Sequence, residues 1–225
     1  MPGQMRSLLD KEFRQIQDDL LRVGSLVDVA IARSLACLRT FDSDLAQQVI
    51  NEDGPINDLR FKVEEDCLTL IATQQPMAGD LRRAMAAVSI VTDLERIADH
   101  ATGIAKTVIR VNAQKHRTGP DEPIAALERM SFAVREMLKS SLDAYVTRNV
   151  EAARFVAAAD DEIDHAYKAL FDDLLKTMAT DATMIPTATY LLWCGHNLER
   201  IGDRVTNIAE RIIFMCTGTL RELNL

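Results

Sequence analysis

The chain has 225 residues, 48% of them hydrophobic but only 5% aromatic, with 9 Gly, 6 Pro and a formal net charge of −8. That excess of acid excludes sequence-independent nucleic-acid binding, which needs phosphate-neutralising cations, and disfavours adhesion to an anionic membrane. No window approaches the run of about 20 apolar residues that spans a bilayer.

Few aromatics and few breakers point to helices packed on helices, and the breakers are sparse enough to place each one. A first long helix is predicted over 6–41 and a second over 44–73, separated by Thr40-Phe41-Asp42-Ser43-Asp44 with Asp42 or Ser43 as N-cap. Gln74-Gln75-Pro76 stops the second, because the residue before proline is pushed out of the α region. A third helix follows over 78–115. Lys115 to Pro123 is the one linker-like stretch, and it divides the chain into halves 1–117 and 118–225. Beyond it, helices are predicted over 124–147, 149–178 and 186–218, with Pro186 in a first turn and Gly218 as the C′ residue. No segment alternates apolar and polar residues, so no strand is expected. The expected fold is all-α, two tandem three-helix bundles.

The halves repeat each other. Asp93-Leu94-Glu95-Arg96-Ile97-Ala98-Asp99 returns as Asn197-Leu198-Glu199-Arg200-Ile201-Gly202-Asp203, shifted by 104 residues. Asp53-x-x-Ile56-Asn57 returns as Asp160-x-x-Ile163-Asp164 at a shift of 107, so one half carries a three-residue indel. Leu198, Ile201, Val205, Ile208, Ile212 and Met215 form a 3-4-3-4-3 apolar seam, matched by Leu94, Ile97, Ala101, Ile104, Val108 and Val111. At 100° per residue, Glu199, Asp203 and Asn207 form a stripe on nearly the opposite side, rejoined by Glu210, so the acids are expected to face outward.

An acidic stripe is ordinarily a solvated face. Here the pair Glu95/Asp99 recurs as Glu199/Asp203, and Asp160/Asp164 repeats the spacing on the neighbouring helix. Hard oxygen donors from two helices suit a divalent or ferric cation, with water completing its shell. The second half (Asp160, Asp164, Glu199, Asp203) is the stronger candidate, because Asn57 removes one charge from the first. Arg96 and Arg200 are read as ion-pair partners that hold the acids in place. His100 and His196 have no counterpart in the other half and are not expected to be ligands. Cys37, Cys67, Cys194 and Cys216 show neither CxxC nor zinc spacing and read as small core residues.

Gln75-Pro76-Met77-Ala78-Gly79-Asp80-Leu81-Arg82, with the doubled Leu-Glu-Arg-Ile-x-Asp, resembles the PhoU family over essentially the whole chain. The resemblance implies two similar three-helix bundles whose E/D-x-x-x-D motifs hold metal ions, in some members as multinuclear clusters. Carried over, the metal ligands are Glu95, Asp99, Asp160, Asp164, Glu199 and Asp203; Asp53 matches too, while Asn57 departs from the pattern. It further implies an adaptor that links the ATPase subunit of a phosphate-specific ABC transporter to a sensor histidine kinase. Such an adaptor restrains phosphate uptake and represses the phosphate-starvation response. The absence of a P-loop, a dinucleotide loop or a Ser/His/Asp set agrees with a non-enzymatic role without an organic cofactor. The leading segment lacks a signal-peptide apolar core, so a cytoplasmic protein without membrane insertion is expected. Ala- and Met-rich flanks suggest a homodimer.

Two enzyme-like alternatives fit the residues less well. A metal-dependent phosphohydrolase would use the same carboxylates and a metal-bound hydroxide, but a surface site excludes water poorly. A ferritin-like di-iron centre wants Glu-x-x-His facing the bundle interior, whereas this chain has His196-x-x-Glu199.

Overall fold

The computed structural model describes residues 2–113 and 121–219, all helices and short connections with no strand among them. In chain order the helices are α1 (Pro2–Thr40), α2 (Ser43–Asn51), α3 (Asp53–Gln74), α4 (Gly79–Ala113), α5 (Asp121–Thr147), α6 (Val150–Ala158), α7 (Asp160–Thr180) and α8 (Ile185–Thr217). A single 3₁₀ turn, Ala182–Met184, leads into α8. These are the six expected long segments, two of them bent. The second breaks at Glu52 into α2 and α3, and the fifth breaks at Ala159 into α6 and α7. Pro55 explains the first break, because it has no N–H to give the carbonyl four residues back. No proline marks the second break. There the new first turn gathers Asp160, Asp161 and Glu162, where the helix dipole favours acids. The middle of the expected linker, residues 115–120, lies outside the described residues, and Asp121–Pro123 already belong to α5.

The local stop signals act as expected. The Asp42 side chain accepts hydrogen bonds from the amides of Asp44 and Leu45, Pro186 lies in the first turn of α8, and Gly218 takes the left-handed conformation with φ 77°. Each bundle also closes its first corner in the same way. Phe41 and Arg148 sit at positive φ, 51° and 53°, just before the caps Asp42 and Asn149. Asn112 Nδ2, from the last turn of α4, donates to the Phe41 carbonyl at 2.7 Å. Its repeat equivalent, Cys216, reaches the Arg148 carbonyl with its thiol at 3.6 Å, a weaker version of one latch.

Helices α1 to α4 pack as one bundle and α5 to α8 as the other, yet a continuous apolar core runs through both because α4 packs along α8 and α1 touches α5. Every seam residue named above is buried. The two central helices run antiparallel, with Arg204 Nη1 3.4 Å from Asp93 Oδ1 and His100 Nδ1 3.0 Å from Asn197 Oδ1. Moving the first pair by 104 residues gives the second pair. One ancestral contact is therefore used on both sides of a local two-fold axis between α4 and α8. All four cysteines are free, and burial pushes the thiols of Cys37, Cys67 and Cys194 up to about 12, which leaves them inert. Among the described residues no helix is long and apolar enough to cross a membrane.

Candidate metal-binding face

Each acid cluster forms where the first turn of a bent helix lies against a central helix. In the first half, Asp53 opens α3 beside Glu95 and Asp99 of α4; in the second, Asp160 opens α7 beside Glu199 and Asp203 of α8. The bends thus carry a function in the geometry: each places an aspartate at position one of a new helix.

The acids are more covered than a stripe opposite the seam should be. Glu95 and Asp160 are only 7% and 4% exposed, Glu210 is buried as well, and the side chain of Glu199 is 16% exposed. The cover comes from within each bundle: Asp53 and Arg60 of α3 lie beside Glu95, and Asp160 of α7 lies against Gly202 of α8. Asp99, Asp164 and Asp203 keep the open side of each cluster.

The arginines behave alike in both copies. Arg96 Nε lies 3.4 Å from Glu95 Oε2 and its Nη1 2.9 Å from Asp99 Oδ2. Arg200 repeats this with 3.2 Å to Glu199 Oε2 and 2.9 Å to Asp203 Oδ2. One guanidinium cannot neutralise its cluster. Burial, then Asp99, raises the Glu95 carboxyl above its ordinary range; burial, then Asp203, does the same for Glu199 and Asp164. Burial and Asp99 also raise Asp53. Asp53 Oδ1, Glu95 Oε2 and Glu199 Oε2 are buried oxygens without a hydrogen bond, the last two offset only by the ion-pair contact of Arg96 or Arg200. A buried acceptor without a donor is expensive.

The two copies differ at two points. Asn57 Nδ2 donates to Asp53 Oδ2 at 3.0 Å, so an amide proton stands where the second half offers the Asp164 carboxylate. Glycine at 202 replaces Ala98 of the first half, and a Cβ there would stand 2.4 Å from Asp160 Oδ1. The missing methyl lets Asp160 lie directly over α8. His196 Nδ1 stands at the edge of the second cluster, 3.5 Å from Glu199 Oε2, with its ring leaning on Tyr167, while His100 is engaged with Asn197. With the arginines folded over the acids, no three His, Cys, Asp or Glu side chains among the described residues converge as a metal cage.

Sequence reading missed the contacts behind the clusters. Thr102, 5% exposed, hydrogen-bonds Asp53, and its repeat partner Thr206 is fully buried with an unpaired hydroxyl. The available signal was a polar residue kept at one position of both copies on an otherwise apolar side. Asp93, also buried, is held by Arg204 and Asn207 across the bundle junction.

The PhoU domain model matches this chain twice, over residues 20–108 and 127–212. The chain belongs to the PhoU family. It is 38% identical over 220 residues to the phosphate-specific transport system accessory protein PhoU homolog of Clostridium acetobutylicum, covering 97% of this chain and 99% of that one. The PhoU homolog of Rhizobium meliloti is 38% identical over 212 residues, covering 94% and 88%. The crystal structure of the phosphate transport system regulatory protein PhoU from Streptococcus pneumoniae superposes with a TM-score of 0.86 at 30% identity, over 95% of this chain and 99% of that chain. PhoU from Pseudomonas aeruginosa gives 0.87 at 31%, over 93% and 99%. The PhoU fold and its internal duplication are therefore those of this chain, and it is an accessory protein of a phosphate transport system.

Proposed function

We propose that this chain is a non-enzymatic regulator of phosphate homeostasis. In this reading it acts in the cytoplasm as a homodimeric adaptor between the ATPase subunit of a phosphate ABC transporter and a sensor histidine kinase, restrains uptake and represses the starvation response. The observation that carries the reading is the pair of matching acid clusters on a PhoU fold whose relatives are named accessory or regulatory proteins. Residues 1–117 and 118–225 act as its halves, joined through α4 and α8.

The clusters are read as sites for a hard cation, divalent or ferric. Asp160, Asp164, Glu199 and Asp203 would hold it in the second half, and Asp53, Glu95 and Asp99 in the first. The donor chemistry fits, since all are carboxylate oxygens and several are buried without a hydrogen bond. Binding exchanges one positive charge for another: the arginine swings off the cluster as the ion arrives. Gly202→Ala separates stability from binding. The added methyl pushes Asp160 away at a cost of about 1–3 kcal/mol, offset by about 1 kcal/mol of helix propensity. The net cost of about 0–2 kcal/mol should lower the unfolding midpoint by no more than about 8 °C, while Mn²⁺ affinity of the second half drops by about tenfold, one 1.4 kcal/mol step. Unchanged Mn²⁺ affinity would remove Asp160 from the ligand set.

Deleting the gene should switch on a phosphate-starvation reporter in phosphate-rich medium, and the intact gene should restore repression. Repression that persists in the deletion strain defeats the regulatory reading. Phosphatase activity lost in Glu199→Gln/Asp203→Asn would instead defeat its non-enzymatic part.

A further inference from the structure

The duplication supplies an internal control for one surface groove. Along the outside of the second bundle, Ala133, Glu136, Met137 and Ser140 of α5 and Phe155, Val156 and Ala159 beside α6 line an open groove of about 200 Å³, with Glu162 at its end. Phe155 is 78% exposed, and Phe132 on the outer side of α5 is 65% exposed. An exposed phenylalanine continuous with an apolar wall forms a patch of the kind that marks an interaction site.

At the equivalent place in the first bundle the shift is 107 residues, so Ser140, Phe155 and Ala159 correspond to Arg33, Gln48 and Glu52. There the groove is bridged. Arg33 Nη2 donates to Gln48 Oε1 at 2.7 Å, and its Nη1 pairs with Glu52, tying α1 to the end of α2. The backbone frame is the same, with a cap, a nine-residue helix and a bend in each copy. One copy thus carries a polar strap and the other an apolar trough with a bare aromatic wall. Folding does not require the trough, because the strap satisfies the same frame.

We infer that the α5/α6 groove is a docking site for an amphipathic helix of a partner protein, one whose apolar face is flanked by Lys or Arg. The apolar floor of Ala133, Met137, Val156 and Ala159 takes anchors spaced i, i+3 or i+4, and Phe155 closes over them. Glu136 and Glu162 stand exposed on its rim and choose the flanking charge. Three cations neighbour the lining in sequence: Arg154 is turned to Glu151 at 3.2 Å, Arg135 is held by both oxygens of Asp28 while also attracting Glu136, and Lys139 lines the adjoining groove with Glu136. Glu162, at the other end, carries the larger share of the rim's charge preference. The same acids, with the net charge of −8, repel an anionic bilayer. The site involves none of the carboxylates assigned to metal, and it stands or falls apart from the phosphate-regulation reading.

The test uses the full chain and two fluorescent model helices of about five turns. One carries a leucine face flanked by lysines, the other the same face flanked by glutamates. Ser140→Arg/Phe155→Gln/Ala159→Glu installs the first bundle's strap without changing net charge, so general attraction of the lysine peptide to an acidic protein is held constant. Phe155→Gln alone, at an exposed position, serves as the variant least able to disturb folding. Fluorescence anisotropy should show salt-sensitive binding of the lysine peptide to the parent. That binding should weaken by at least about tenfold in both variants, and the glutamate peptide should bind at least about tenfold less tightly. Equal binding to parent and variants, or equal binding of the two peptides, overturns the inference. So does sedimentation in which the parent is a dimer and the strapped variant a monomer, because the occupant is then a second copy of this chain.

Discussion

Arg204→Met should lower the unfolding free energy by about 2 kcal/mol, and Asp93→Asn in the same chain should recover most of that loss. Asp93 is 9% exposed at the junction of the bundles, and Arg204 is its charged partner across α4 and α8. Removing one partner of a fully buried pair costs about 3–5 kcal/mol, mostly through the stranded charge. Here the Arg204 side chain is 38% exposed and Asn207 still reaches the carboxylate, so the smaller figure is appropriate. For a chain of this size the midpoint should fall by about 4–8 °C. The double variant replaces the stranded carboxylate by a neutral amide that Asn207 can still bond. A midpoint in Arg204→Met within about 1 °C of the parent, or no recovery in the double variant, would show that the junction is held by apolar packing alone.

That junction is also where sequence reading ran short. The seam of α8, the cap Asp42, the first-turn Pro186 and the terminal Gly218 are local, and each was read from its neighbours. The bends at Glu52 and Ala159 were missed for a specific reason. A one-residue break leaves the apolar period almost intact, as Ile56 and Val63 still fall on the buried side. Gly54-Pro55 was nonetheless a visible signal. The depth of Glu95 and Asp160 could not come from one helix wheel, because a wheel knows only one neighbour. Glu95 is covered by Asp53 and Arg60 of α3, and Asp160 of α7 lies against Gly202 of α8, while the central helices meet elsewhere, through Asp93 and Arg204, 111 positions apart.

The duplication converts these misses into information. Where two copies keep the same chemistry, as with Arg96 and Arg200 or Thr102 and Thr206, one frame imposes one need. Where they part, the frame is constant and the difference is free to serve function. Asn57 opposite Asp164, Ala98 opposite Gly202, and the Arg33 strap opposite the bare Phe155 are differences of the second kind. The first two add a carboxylate and close-packed room for Asp160 to the second cluster, and the third leaves an apolar groove on the second bundle where the first has a polar strap.

The same asymmetry governs the largest ligand effect expected. After chelation and dialysis, Mn²⁺ at about 100 times its dissociation constant should stabilise the parent by about 2.7 kcal/mol. Glu199→Gln/Asp203→Asn should lose most of this, and Glu95→Gln/Asp99→Asn the smaller share, since Asn57 already occupies Asp53 with an amide proton. The pH dependence fixes the mechanism. Burial and Asp203 hold the Glu199 and Asp164 carboxyls above their ordinary values. Without metal, a raised carboxyl supports the fold fully below its unfolded value, about 4.3 for Glu and 3.9 for Asp, and that support is lost as pH rises through the raised value. A cation binds only the ionised form, so its stabilisation runs the other way, largest at neutral pH and gone below about pH 4. Melting curves between pH 4 and 7.5 should therefore converge at the acid end and separate at the neutral end. An Mn²⁺ increment that is flat across that range, or retained in Glu199→Gln/Asp203→Asn, would place the ion somewhere other than these carboxylates.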